Sequence, residues 1–529
     1  MARYAAIDIG SNSVRMMAAE TNAGPQLAGP PVGPQLKVLA EDRQVTRIGQ
    51  SVFATGFISN DTLDLVLSVL TRMRRTYEPL RVSAVRAVAT SAVRDARNQH
   101  EFLRRAMAAL GTEVEIISGL EEARLIHHGV VSTGGFRRGR QLLIVIGGGS
   151  AEFILNEDGR LAGAYSKPLG AVRLWQSFLR SDPPQPRELH QLEQFIDEKI
   201  SEAVREFAAG PIDFAIGTSA SASAAVSAIH QIPRSKRDSA TGLRVNAEEL
   251  GHLYRHLAAM TLEQRRQVTG IGPRRAEIIV PGVALLARAL ESFRVDSLVC
   301  SNAGVRDGII LDLDARGIGK ERLTLTDEQR AVVERVAARF GVQLPRVRQT
   351  ARFALDLFAG LEPLHRLPHP WGRILEAAAH LHDTGHFISP TKHHKHSHYI
   401  VSSVDFPSFT ESERRLIAVL CRYHRKSMPE AAHAEYVALT DEDKRALLHL
   451  IPLLRIADAC ARGPEQRVTR LTCQVQNGIV TLGLHHLPPL DLELWAIERS
   501  ILIFREIYQR HVVLKPIEQG AAHPLANQN

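Results

Sequence analysis

Along the first 315 residues, short apolar runs end in Gly- and Ser-rich turns, and the stretches between them carry apolar residues at helical spacing. Ala5-Ala6-Ile7-Asp8-Ile9 enters Gly10-Ser11-Asn12-Ser13 and leaves as a second apolar run. Leu142-Leu143-Ile144-Val145-Ile146 does the same through Gly147-Gly148-Gly149-Ser150. Each reads as strand, tight turn, returning strand. Leu63, Val66, Leu67, Leu70 and Met73 recur at helical spacing, which predicts a helix over 61–77. A strand over 82–89, a helix over 99–110 and a strand over 113–117 follow. Strands alternating with helices predict α/β layers. From about residue 141 the order repeats in outline: strand, turn, returning strand over 152–155, a hairpin signal at Gly159, a long helix over 187–208, and a strand ending in Phe214-Ala215-Ile216-Gly217-Thr218-Ser219. This repetition points to an internal duplication. A third turn lies at Ser301-Asn302-Ala303-Gly304. Residues 22–35, where Gly-Pro-Gln-Leu occurs twice, are too rich in Gly and Pro for a regular element and read as a loop inserted in a hairpin. Beyond about residue 320 strand-like runs vanish, and helical periodicity dominates from 326 to 460. A mixed pattern returns over 466–515, with a hairpin predicted at Asn477-Gly478.

A chain of 529 residues is too long for one core, so roughly three or four domains are expected. With 44% hydrophobic and 23% charged residues the composition is that of an ordinary globular protein. The formal net charge of +8 favours a polyanionic ligand without identifying one. Cys300, Cys421, Cys460 and Cys473 are scattered and form no CxxC pair, which argues against a zinc knuckle or a disulfide framework. There is no apolar run long enough for a membrane span and no secretory pattern ahead of the first strand, so a cytoplasmic protein is expected.

The turns carry the first chemistry. Successive backbone N–H groups in a tight turn form a concavity that favours anions, phosphate above all. Two facing turns suggest a phosphate chain held between two similar domains. Neither turn fits the P-loop, which ends in Gly-Lys-Ser/Thr, or the dinucleotide fingerprint, which leads straight into a helix.

The segments Ile7-Asp8-Ile9-Gly10-Ser11-Asn12-Ser13-Val14-Arg15, Ala89-Thr90-Ser91-Ala92-Val93-Arg94, Ile117-Ser118-Gly119-Leu120-Glu121-Glu122-Ala123-Arg124 and Gly147-Gly148-Gly149-Ser150-Ala151-Glu152 resemble, in order and spacing, the Ppx/GppA family of exopolyphosphatases and guanosine pentaphosphate phosphohydrolases. Val280-Pro281-Gly282 and Gly304-Val305-Arg306-Asp307-Gly308 add to the match. The resemblance implies two ribonuclease-H-like domains of the actin and sugar-kinase superfold, here 1–128 and 129–315. A helical HD-like domain (320–462) and a small α+β segment (463–518) follow. It also implies a homodimer.

Hydrolysis of a phosphoanhydride needs charge neutralisation, a positioned water and a base. The turns offer N–H donors at Ser11, Asn12, Ser13, Gly148, Gly149 and Ser150, and the turn after the strand at 214–217 offers Gly217. Asp8 and Glu152 stand beside the turns. An acid near phosphate needs a cation between them, which implies Mg²⁺. The resemblance makes Glu122 the catalytic base; the residues alone leave Glu121 and Glu122 as alternatives. Arg15, Arg94 and Arg275 match positions that touch phosphate, a role suited to the planar guanidinium. The sequence departs from the family at Val145, where the second turn usually begins with Asp, at Ala151 for Thr, and at Thr218 for a glycine. Val145 removes one carboxylate from the implied metal site.

In the helical region, residues 380–398 hold seven histidines. His382-Asp383, His424 and Asp458 resemble the metal-chelating HD pattern, but the stretch that would supply its opening histidine, Arg346-Val347-Arg348-Gln349-Thr350-Ala351, has none. His393, His394, Lys395, Arg422, His424, Arg425 and Lys426 are expected to line a cationic path for a polyanion. The leading reading is an exopolyphosphatase acting on inorganic polyphosphate, with no role for DNA or a membrane. The alternatives are a guanosine pentaphosphate 5′-phosphohydrolase, for which guanosine penta- or tetraphosphate would be the ligand, a non-catalytic polyphosphate or alarmone sensor, and a sugar kinase.

Overall fold

The computed structural model describes residues 2–22, 35–132, 136, 138–316, 322–463 and 465–518. The chain divides into two compact units, Met1–Gly319 and Lys320–Asn529. The loop expected over 22–35 lies mostly outside the described residues. The strands on either side of it, β2 (Ser13–Asn22) and β3 (Gln35–Val45), pair antiparallel from Asn22↔Gln35 to Ser13↔Val45, as a hairpin requires.

The first unit holds two sheets. In the first, β1 (Ala2–Ile9) pairs antiparallel with β2 and parallel with β4 (Ala84–Ala89), which is parallel to β5 (Val114–Ile116). The order is β3-β2-β1-β4-β5. The second sheet contains β6 (Arg140–Ile146), β7 (Ala151–Glu157), β8 (Arg160–Lys167), β9 (Phe214–Gly217), β10 (Arg244–Asn246) and β11 (Ser297–Cys300). Read from β8 its order is β8-β7-β6-β9-β11-β10, the same arrangement with one extra antiparallel edge strand. Both are ribonuclease-H-like sheets, so the repetition in the sequence is a structural duplication.

The registers make the two Gly turns equivalent. Asp8 faces Arg15 across β1 and β2, and Val145 faces Glu152 across β6 and β7. Each turn is closed by the same bond: Gly10 N–H donates to Ser13 O at 3.1 Å, and Gly147 N–H to Ser150 O at 2.9 Å. Strand interiors pack into the cores through alternating apolar positions, Ile7 and Ile9 on one side of the sheet, Tyr4 and Ala6 on the other. Left-handed Asp158-Gly159 and Asn477-Gly478 make the two predicted hairpin turns.

The helix Gly119–Ser132 crosses the helix Val305–Arg316 at backbone contact. A Cβ on Gly308 would stand 1.8 Å from the carbonyl oxygen of Leu125, and one on Gly129 would stand 2.4 Å from that of Gly304. Only glycine permits this approach. The crossing is stitched by buried charge: Glu121 binds Arg124 and Arg86, and Asp312 binds Arg86, Arg124 and Arg316.

The second unit is helical from Asp327–Arg339 to Asp441–Cys460, as its periodicity predicts. It ends in an α+β portion, where β12 (Val468–Gln476) and β14 (His511–Glu518) flank β13 (Ile479–His486), and the helix Asp491–Tyr508 connects β13 to β14. Among the described residues no helix is long and apolar enough to cross a membrane.

Candidate active site

The two Gly turns face each other. A Cβ on Gly148 would lie 3.0 Å from Ser11 Cβ and 3.2 Å from Asn12 N; one on Gly149 would lie 2.5 Å from Phe53 Cζ and 2.9 Å from Ser11 Oγ. None of Gly10, Gly147, Gly148 and Gly149 has positive φ. The glycines serve close approach of the two turns, and left-handed backbone plays no part. The first turn is held from behind: Gly49 N–H donates to Ser11 O, Thr46 and Arg47 N–H to Asn12 O, and Ala92 N–H to Ser11 Oγ.

Between them opens a cavity of about 730 Å³. Asp8, Ser11, Asn12, Ser13, Arg15, Glu122, Gly148, Gly149, Ser150 and Arg275 all line it. Glu152 is fully buried beside it, with one carboxylate oxygen accepting from Ser166 Oγ at 3.0 Å. Two further expected residues, like Glu152, are off the wall. Arg94 donates to Ile117 O at 2.6 Å, and its charge stabilises the carboxylates of Glu122 and Glu152 from behind. Gly217 is packed inward, where a Cβ would stand 2.9 Å from Leu298 Cδ2; Thr218 forms the wall there instead.

The two adjacent glutamates take opposite roles in the structure. Glu121 turns into the buried ion network, where, against the cost of burial, Arg124 and then Arg86 hold its carboxyl below the usual range. Glu122 turns into the cavity, and its Oε2 is buried without a hydrogen-bond partner. Burial, then the neighbouring charges of Glu152 and Asp8, push Glu122 well above the ordinary carboxyl range. Burial also raises Asp8, and it pushes Glu152 to about 7. Glu152 Oε2 is a second buried oxygen with no partner. Asp8 and Glu152 raise Glu122, and Asp8 raises Glu152, so a cation among them would favour their ionised forms. Val145 lines the same cavity and faces Glu152 across β6 and β7, adding no charge there.

The cavity is also strongly cationic. Arg15, Arg43, Arg237, Arg275 and Arg306 all line the cavity. Burial and mutual repulsion lower Arg15 to about 10 and Arg275 to about 9. Arg43, Arg237 and Arg275 also line an adjoining pocket of about 210 Å³ with Arg47, Arg234, Arg274 and Trp175. Guanidiniums that repel one another in a cleft are arranged for an anion. Sequence reading missed Arg43, Arg237 and Arg306. They sit on an edge strand, in a 3₁₀ segment and at a helix start; the run Arg234-Ser235-Lys236-Arg237 and the Gly304–Gly308 motif around Arg306 carry a local signal, and Arg43 has none.

Residues 30–316 match the model of the Ppx/GppA phosphatase family, and residues 329–487 match the model of its domain III. The chain belongs to the Ppx/GppA phosphatase family. An Aeromonas hydrophila relative, a guanosine-5′-triphosphate,3′-diphosphate pyrophosphatase by name, is 26% identical over 488 residues, covering 91% of this chain and 92% of its own. Among solved structures, the Aquifex aeolicus Ppx/GppA enzyme is 26% identical with a TM-score of 0.51, covering 59% of this chain and 99% of its own. An exopolyphosphatase-like protein is 28% identical with a TM-score of 0.54, covering 59% of this chain and 97% of its own. The Ppx/GppA fold accounts for the duplicated sheets and for the helical region after them.

The second unit departs from the expected cationic path. The imidazoles of His393, His394 and His424 are buried, so they line no solvent-facing track. Arg346, in the stretch that holds no histidine, forms ion pairs with both Asp383 and Asp458.

Proposed function

We propose that the chain is an exopolyphosphatase that removes the terminal phosphate of inorganic polyphosphate. The observation that carries this reading is the arginine run. It continues from the cavity holding Glu122 into the adjoining pocket, with more guanidiniums than one terminal phosphate needs. In this reading the turn N–H groups of residues 11–13 and 148–150 hold the terminal phosphate, and Arg15 and Arg275 neutralise it. Glu122 accepts the proton of the attacking water. Asp8 and Glu152 are hard oxygen donors, and Glu152 Oε2, like Glu122 Oε2, is buried without a partner; they fit a Mg²⁺ ion, which when bound supplies positive charge to the phosphoryl oxygens.

A guanosine pentaphosphate hydrolase is the second reading. Two observations favour it: the names of relatives such as the Aeromonas hydrophila protein, and Trp175 in the adjoining pocket, an aromatic face on which a base can stack. Phosphate release from long polyphosphate and from guanosine pentaphosphate, compared as kcat/KM in Mg²⁺, separates them. A higher value for polyphosphate is expected; a higher value for the nucleotide would replace the first reading with the second. No release from either, with binding retained, would reject both.

A further inference from the structure

The second unit contains a cluster of metal-ligating side chains that has no part in the proposed hydrolysis. Asp383, His386 and His393 present one ligand atom each, all within 4.8 Å of one another. His386 Nε2 lies 3.6 Å and His393 Nε2 3.7 Å from Asp383 Oδ1; the two imidazole rings stack at 3.8 Å, so the half-exposed His386 ring turns for both nitrogens to face one ion. Ligands about 2.0–2.1 Å from a tetrahedral zinc ion stand roughly 3.3–3.4 Å apart. The observed spacings lie within a few tenths of an ångström of that edge.

The second cluster, His382, Asp383 and Asp458, is different. Arg346 bridges Asp383 Oδ2 and Asp458, so a fixed guanidinium already occupies that side. Asp383 Oδ1, the other oxygen, is the one that faces His386 and His393. His424 Nε2 stands 3.1 Å from His393 Nε2, and its own Nδ1 lies 2.7 Å from the carbonyl of Cys421. In the neutral ring Nδ1–H donates there, which leaves Nε2 with its lone pair toward His393. His393 Nδ1 has two neighbours, Pro390 O at 3.2 Å and Arg425 Nη1 at 3.1 Å. Accepting from Arg425 lets His393 give its Nε2 proton to His424, a metal-free arrangement. Donating to Pro390 frees Nε2 for a metal, with a backbone carbonyl orienting the ring as is usual for ligating histidines.

We propose that Asp383, His386 and His393 form a binding site for one divalent ion of the zinc class. Two nitrogen donors and one carboxylate suit zinc over the oxygen-seeking Mg²⁺. His424 stands beside the remaining position. Binding moves the His393 proton to Nδ1 and displaces Arg425 from it. The ion ties the 3₁₀ turn Thr384–Phe387 to the helix His393–Ser403, independently of phosphate hydrolysis in the first unit.

The test uses the full chain without an affinity tag, stripped by chelator and returned to excess Mg²⁺, then titrated with Zn²⁺ by calorimetry and with Co²⁺ by visible absorption. One Zn²⁺ per chain and a cobalt d–d band are expected. His386→Ala, on a half-exposed residue that can be replaced without disturbing the core, should weaken zinc binding by at least about tenfold, the loss typical even of outer-shell partners. His393→Ala should abolish the cobalt band, and Glu122→Gln should leave both signals unchanged. A wild-type chain that takes up no zinc at stoichiometric metal, or a His386→Ala chain with unchanged affinity, overturns the site.

Discussion

Glu152 shows what one buried side chain asks of the site. Its folded pKa of about 7 lies above the ordinary 4.5. The folded chain therefore keeps a proton that the unfolded chain releases, and this contribution to stability is present below about pH 4.5 and lost as pH rises to about 7. In metal-free buffer, wild type should lose stability relative to Glu152→Gln across that window, by on the order of 3 kcal/mol. Thermal melts at several pH values check this, and a constant difference between the two proteins contradicts it. Val145 is the complementary case. Val145→Asp adds a carboxyl directly across from Glu152, so it should lower the melting temperature without metal and reduce the Mg²⁺ concentration needed for half-maximal phosphate release. An unchanged metal titration would mean that the site does not use this position.

At the scale of elements, the site depends on the crossing of Gly119–Ser132 with Val305–Arg316, because the first of these helices aims Glu122 into the cavity. Gly308→Ala puts a methyl group into the carbonyl of Leu125, so backbone must move. Overpacking of this kind costs about 1–3 kcal/mol or more. The variant should melt early and release phosphate more slowly, and a melt identical to wild type would contradict the crossing. Much of the element pattern was legible, because apolar period and turn residues decide it locally. Asn477-Gly478 and Asp158-Gly159 are hairpin turns for reasons visible in two residues. The choice between Glu121 and Glu122 was not legible from spacing. It is made by Arg124, one turn along the same helix, together with Arg86 and Asp312, which approach from another strand and another helix. The glycines of the turns were read correctly as turn residues, but the physical reason is contact between the turns, which is a tertiary fact.

For the whole molecule, the duplicated sheets bring acidic and basic groups together on a shared cavity. The first copy contributes Asp8, the helix joining the copies contributes Glu122, and the second copy contributes Glu152. Motif order revealed these acids because each lies in a short local pattern. The basic groups were mostly hidden, since Arg43, Arg237 and Arg306 come from three distant segments and meet only in the fold. The same holds in the second unit, where Arg346 comes from a distant helix to pair with Asp383 and Asp458, and burial takes His393, His394 and His424 inside.

The central claim is that Glu122, in this arginine-walled cavity, is the base for hydrolysis of a terminal phosphoanhydride. Its most direct test is Glu122→Gln with polyphosphate, measuring turnover and binding on the same preparation. Turnover should fall by about 10²–10⁴-fold, the usual contribution of a general base, with the dissociation constant for polyphosphate little changed. Retained turnover would contradict the assignment of Glu122 and the mechanism built on it.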